Sequence, residues 1–159
     1  MAESFNEAVQ ELAVLARVDP SLALEDEHVR WAVYEASVSD PERHRLLQVA
    51  VCGEVNAPLA SAVVTRVLEA ISDGERGQWV DLLPPGRLQE FARTRAAELH
   101  VWDDLADGAL GESRRGELGG WSQWLQLRAA EQSNIVWVLD ELSRIGATKR
   151  IRRLAHERL

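Results

Sequence analysis

Apolar residues recur at helical spacing along this chain, yet every such run is cut after a few turns by a proline, a glycine or a capping residue. The last thirty-nine residues carry the pattern most plainly. One stripe runs from Trp121 to Ala130, and a second, from Ser133 to Ile145, uses Ile135, Val138, Leu139, Leu142 and Ile145. Gly146 interrupts it, and Ala147-Thr148 leads into a basic helix over Lys149–Leu159. Helices this short are marginal alone, so each must lay its apolar face against a neighbour. A chain of them folds by stacking helix on helix.

The same punctuation continues upstream. Ser4-Phe5-Asn6-Glu7 fits a capping box, with Phe5, Val9, Leu12 and Ala16 on one face until Asp19-Pro20 stops the helix. A helix over about residues 26–38 places Val29, Ala32, Val33 and Ala36 inward, with Trp31 and Tyr34 off that stripe, so it is apolar on two sides. Asp40-Pro41 and Asn56-Ala57-Pro58 each pair a cap with a proline at the start of a helix, where its missing amide is not needed. The first of these helices runs to Gly53. Ser72-Asp73-Gly74-Glu75 restarts the chain, and Pro84-Pro85-Gly86 positions the longest helix, to Ala106. No segment alternates at period two with β-branched enrichment, so no sheet is expected. The expectation is an all-α fold: a right-handed stack of short antiparallel helix pairs, an α-solenoid of about eight or nine helices.

Three segments follow from this reading: a helical-repeat block over 1–106, a glycine-rich mobile connection over 107–120, and C-terminal helices over 121–159 packing on the same single domain. The connection holds Gly108, Gly111, Gly116, Gly119 and Gly120, half of the ten glycines in the chain.

Charge narrows the partners. A net charge of −8 argues against general nucleic-acid binding, which needs clustered cations. The carboxylates crowd the first 42 residues, whereas Arg144, Lys149, Arg150, Arg152, Arg153 and Arg158 cluster at the far end. Such polarity suits an acidic partner at the C-terminal helix, or self-association end to end. Lys149 is the only lysine among 18 basic residues, a bias expected of a high-GC bacterial gene. The single cysteine, Cys52, forbids an internal disulfide and fits a reducing, cytoplasmic setting; its apolar neighbours Val49, Ala50 and Val51 predict a buried, inert thiol. No apolar stretch reaches the roughly 18 residues a membrane helix needs, so no membrane partner is expected. Met1-Ala2-Glu3-Ser4 lacks the basic-then-apolar order of a secretory leader.

The helix starts at Asp40-Pro41 with Leu46-Leu47 and Ala50, and at Asn56-Ala57-Pro58 with Val63-Val64 and Val67-Leu68, resemble HEAT-type repeats and their bacterial leucine-rich-variant relatives. Thr148 to Ala155 is similar to the second helix of such a repeat. The resemblance spans about 40–71 and 133–159, and implies a stacked fold that holds another macromolecule along its surface. Some HEAT-like bacterial proteins are alkylated-base DNA glycosylases, for which Trp102-Asp103 beside Arg93 and Arg95 is a superficial match; that is the alternative reading.

Catalytic chemistry finds little support. Gly111 to Gly116 carries Arg114 and Arg115 but no phosphate-loop lysine, and misses the nucleophile-elbow spacing by one residue. His28, His44, His100 and His156 are scattered, and His100 with Asp103 and Asp104 is the one local cluster. No catalytic residue, metal or cofactor is therefore expected. The six tryptophans suit both core and interface. Trp79 and Trp102 lie in inner stripes; Trp121, Trp124 and Trp137 are the candidate binding tryptophans, with Lys149, Arg150, Arg152 and Arg153 as the candidate basic surface. The expected function is non-enzymatic: an adaptor or subunit that binds another protein.

Overall fold

The computed structural model describes residues 4–159, so the reading of Met1-Ala2-Glu3 as no secretory leader lies outside the described residues. Among these residues the chain is all-α, without a strand. The helices are α1 (Phe5–Leu15), α2 (Pro20–Glu25), α3 (Glu27–Val38), α4 (His44–Gly53), α5 (Ala57–Ala70), α6 (Asp73–Val80), α7 (Arg87–Ala106), α8 (Gln123–Gln132), α9 (Val136–Ile145) and α10 (Lys149–Glu157). Two 3-10 segments, Pro41–Arg43 and Glu112–Gly120, join them. Ten α-helices exceed the eight or nine expected. The surplus helix is α2: Asp19-Pro20, expected to stop the first helix, instead starts a new one, the Asp19 carboxylate accepting the Ser21 amide at 2.8 Å.

The caps behave as their residue types dictate. Ser4 and Glu7 close the capping box of α1, Asp26 caps α3, Asn56 caps α5, Ser122 caps α8 and Thr148 caps α10. Among the described residues, two helices end in the six-to-one, five-to-two hydrogen-bond pair that needs a left-handed residue. At the end of α7 that residue is Gly108, at φ 70°, with Ala109 N–H donating to Asp104 and Gly108 N–H to Leu105. At the end of α1 it is Arg17, at φ 59°, with Val18 N–H donating to Ala13 and Arg17 N–H to Val14.

The chain divides into two compact units, Met1–Ala96 and Ala97–Leu159, the division falling inside α7. In the first unit α1 packs on α2, α3 and α4, and α3 packs on α5. Leu12, Leu47, Val63 and Leu68 are among its fully buried side chains. The buried face of α3 is rotated from the expected stripe. Ala32 and Ala36 face solvent, whereas Arg30, Val33, Tyr34, Ser37 and Val38 are buried. Arg30 tolerates burial because Glu54, whose side chain is 0% exposed, meets it at 2.7 Å. The Glu54 carboxylate also accepts the Tyr34 hydroxyl at 2.9 Å and the Asn56 backbone N–H at 3.1 Å. Arg30 donates further to the carbonyls of Ala23 and Leu24. Burial pushes the Glu54 carboxyl up, but the hydrogen bonds from Arg30, Asn56 and Tyr34 outweigh it and hold the group below its ordinary 4.5.

The second unit has its own core of Leu105, Leu110, Leu118, Ala129, Ala130, Val138, Leu139, Leu142, Ile151 and Ala155. Leu110 and Leu118 come from the segment read as a glycine-rich connection, 107–120; it has more to bury than its glycine count suggests. Gln126, 1% exposed, fastens this segment. Its amide donates to the Leu118 and Trp121 carbonyls at 3.0 and 3.2 Å, and its oxygen accepts the Ala147 amide at 2.8 Å. Arg115 adds ion pairs to Glu112 at 2.9 Å, Asp140 at 3.0 Å and Glu141 at 3.3 Å. Gly146 is required by close approach: a Cβ there would lie 2.6 Å from the Leu142 carbonyl oxygen and 2.7 Å from Ile151.

Candidate functional site

Helices α3 and α5 run in the same direction, because they are stapled in register at two points. Near their N-termini the Asn56 side-chain amide donates to the Glu27 carboxylate, and two turns on Arg66 meets Glu35 at 3.4 Å. Glu27, Trp31 and Glu35 are four residues apart and share one helical face, as do Pro58, Ala62 and Arg66 on α5. The two staples hold these faces side by side with Trp31 between them.

The result is an open apolar trough in the first unit. A recess of about 530 Å³ is lined by Trp31, Pro58, Ser61, Ala62, Thr65 and Arg66, with Leu88 and Phe91 from the start of α7. A second recess of about 290 Å³ shares Trp31, Pro58 and Ala62 and extends the trough to Glu27, His28 and Asn56. Its lining offers few polar groups: the Thr65 hydroxyl is spent on the Ser61 carbonyl at 2.8 Å. Phe91 is 50% exposed and Leu88 38% exposed, large apolar side chains left in water beside a half-buried indole. Arg95 stacks over the Phe91 ring at 5.4 Å. Contiguous apolar surface of this kind costs free energy in water.

The residues singled out from sequence lie in the second unit. Trp121 and Trp137 are half-buried against its core, and Trp124 is likewise half-buried. The Arg128 guanidinium lies between two indoles, 5.0 Å from Trp102 and 5.2 Å from Trp124. That stack joins α7 to α8 and covers the Trp102 ring. Of the basic residues on α10, Lys149, Arg150 and Arg153 are exposed and Arg152 is half-buried. Arg150 pairs with Glu131 at 3.2 Å, Arg153 with Glu157 at 3.5 Å, and Arg152 donates to the Gly146 carbonyl. The basic surface is therefore partly neutralised by its own neighbours.

His100 and Asp104 approach to 3.8 Å, and among the described residues no group of three or more His, Cys, Asp or Glu is placed to hold a metal ion. Arg93 and Arg95 belong to the first unit, and Trp102 and Asp103 to the second. Cys52 is exposed, not buried: it lies on the outer face of α4, beside Phe5, Arg45, Gln48, Val49 and Gly53. The apolar run around it includes the core residues Ala50 and Val51, but position 52 turns outward at helical spacing. No helix is long and apolar enough to cross a membrane among the described residues.

Sequence reasoning noted Trp31 as lying off the inner stripe but did not join it to anything. Its neighbours in the trough, Leu88 and Phe91, lie far along the chain at the start of α7. No pattern along the chain reveals that α7 begins beside α3 and α5. Comparison adds no relatives: no protein-family model, no curated protein and no solved structure matches the chain.

Proposed function

We propose that this protein is a non-catalytic helical module that binds a segment of another protein in the trough between α3, α5 and the start of α7. One observation carries the reading: Trp31, Pro58, Ala62, Leu88 and Phe91 form a continuous apolar recess that the first unit leaves uncovered. A flexible segment inserting apolar side chains there removes both its own and the trough's surface from water, at roughly 25 cal/mol per Å². Aromatic side chains at the centre of such a surface dominate its affinity. The parallel packing of α3 and α5, with α4 between them in sequence, supports a HEAT-like stack of helix pairs in this unit.

The test is a peptide-display selection against the full chain, followed by titration of the selected peptides into wild type, Trp31→Ala and Phe91→Ser. Phe91 is half in solvent, so its replacement should leave the fold intact, which circular dichroism checks. Peptides that lose about tenfold or more in affinity toward both variants, roughly 1.4 kcal/mol, bear the reading out. Peptides that bind Phe91→Ser and Trp31→Ala as tightly as wild type refute it.

A further inference from the structure

We infer that the segment held in the trough is a basic amphipathic helix, an inference that rests on the protein-binding reading above. The trough runs along α5 for the two turns from Pro58 to Arg66, about 12 Å at 1.5 Å per residue. A groove between helices matches the ridge of side chains that another helix presents at i, i+3, i+4 and i+7.

Charge decides the rest. The first unit holds sixteen carboxylates against nine arginines, a net of −7, whereas the second, with ten carboxylates against nine cations, carries −1. The protein's negative charge is therefore concentrated in the unit that carries the trough. At the mouth by the N-terminus of α3 stands Glu27, preceded in the chain by Glu25 and by the capping Asp26. Glu27 accepts a hydrogen bond from the neutral Asn56 amide and forms no ion pair among the described residues. The cations at the other end are engaged: Arg66 meets Glu35, and Arg95 covers Phe91. A helix with an apolar stripe and lysines or arginines on its flanks would bury the stripe on Trp31 and Phe91. Its cations would then stand against Glu27 and in the field of the unit, which also speeds encounter.

Three synthetic peptides of about 14 residues test this with the full-length protein by calorimetry and by amide shifts in ¹⁵N spectra. One has a leucine stripe flanked by lysines, one the same stripe flanked by glutamates, and one the lysine peptide's composition scrambled to abolish the stripe. The lysine-flanked helix should bind about tenfold or more tightly than the other two, shift amides around Trp31, Ala62 and Phe91, and weaken as salt is raised. Glu25→Gln with Glu27→Gln should reduce that preference while leaving the fold unchanged, and Phe91→Ser should abolish binding. Equal affinity for lysine- and glutamate-flanked helices overturns the charge inference and leaves the groove reading standing. Equal binding of the scrambled peptide overturns it too, because charge alone would then suffice. Failure of all three to shift the trough overturns both.

Discussion

Removing the Glu54 carboxylate should cost more stability than any exposed charge in the protein. In Glu54→Ala the Arg30 guanidinium loses its partner at 2.7 Å while remaining on a side chain only 8% exposed. The Tyr34 hydroxyl and the Asn56 amide lose their acceptor in the same step. An uncompensated buried charge of this kind costs about 3–5 kcal/mol. Urea unfolding at neutral pH, followed by far-ultraviolet circular dichroism, measures it as a fall in midpoint. Arg66→Ala is the internal control, since its pair with Glu35 is about half exposed on both sides and should be worth under about 0.5 kcal/mol. Replacing both members, Arg30→Met with Glu54→Leu, should recover much of the loss, because no charge is then left buried. If Glu54→Ala lies within about 1 kcal/mol of Arg66→Ala, the buried network is not what holds α2, α3 and the α4–α5 turn together. The pH dependence follows by sign. The folded carboxyl titrates below its ordinary 4.5, so its contribution is fully present above that value and is lost as pH falls below it. The stability gap between wild type and Glu54→Ala should therefore narrow in acid.

Gly146→Ala should destabilise the second unit by about 1–3 kcal/mol, since its methyl would overlap the Leu142 carbonyl and Ile151; thermal unfolding of the variant checks this. Arg17→Gly should raise stability by about 0.5–1 kcal/mol, because glycine adopts the left-handed cap of α1 without the side-chain penalty; a lower urea midpoint would refute the assignment. Gln126→Ala orphans the Leu118, Trp121 and Ala147 backbone groups and should cost about 2–3 kcal/mol, with faster amide exchange at Ala147 as a local readout.

How far these elements were legible depends on how local their causes are. Capping boxes, the Asn56 cap and the Pro84-Pro85-Gly86 break depend on neighbours in sequence, and those signals placed most helices correctly. The end of α1 escaped notice as a left-handed cap because an arginine occupies it where glycine is usual. The buried face of α3 was misread because Arg30 looks like a surface residue until Glu54, twenty-four positions away, neutralises it. The 107–120 segment reads as polar and glycine-rich, yet Leu110 and Leu118 anchor it once Gln126 supplies hydrogen bonds to its carbonyls. The trough is the least legible feature. It is assembled from Trp31, Pro58, Ala62 and Phe91, residues from three helices whose mutual placement only the folded chain defines.

The outward turn of Cys52 sets how the protein meets an oxidant. With one sulfhydryl per molecule and that one facing water, any disulfide must tie two molecules together or cap the sulfur with a small thiol. Left in air without reductant, a fraction of the preparation should run at twice 17.8 kDa and collapse to the single mass when dithiothreitol is added. The same atom is a unique point for attaching a fluorophore, on the far end of α4 from the Leu46 and Leu47 core contacts.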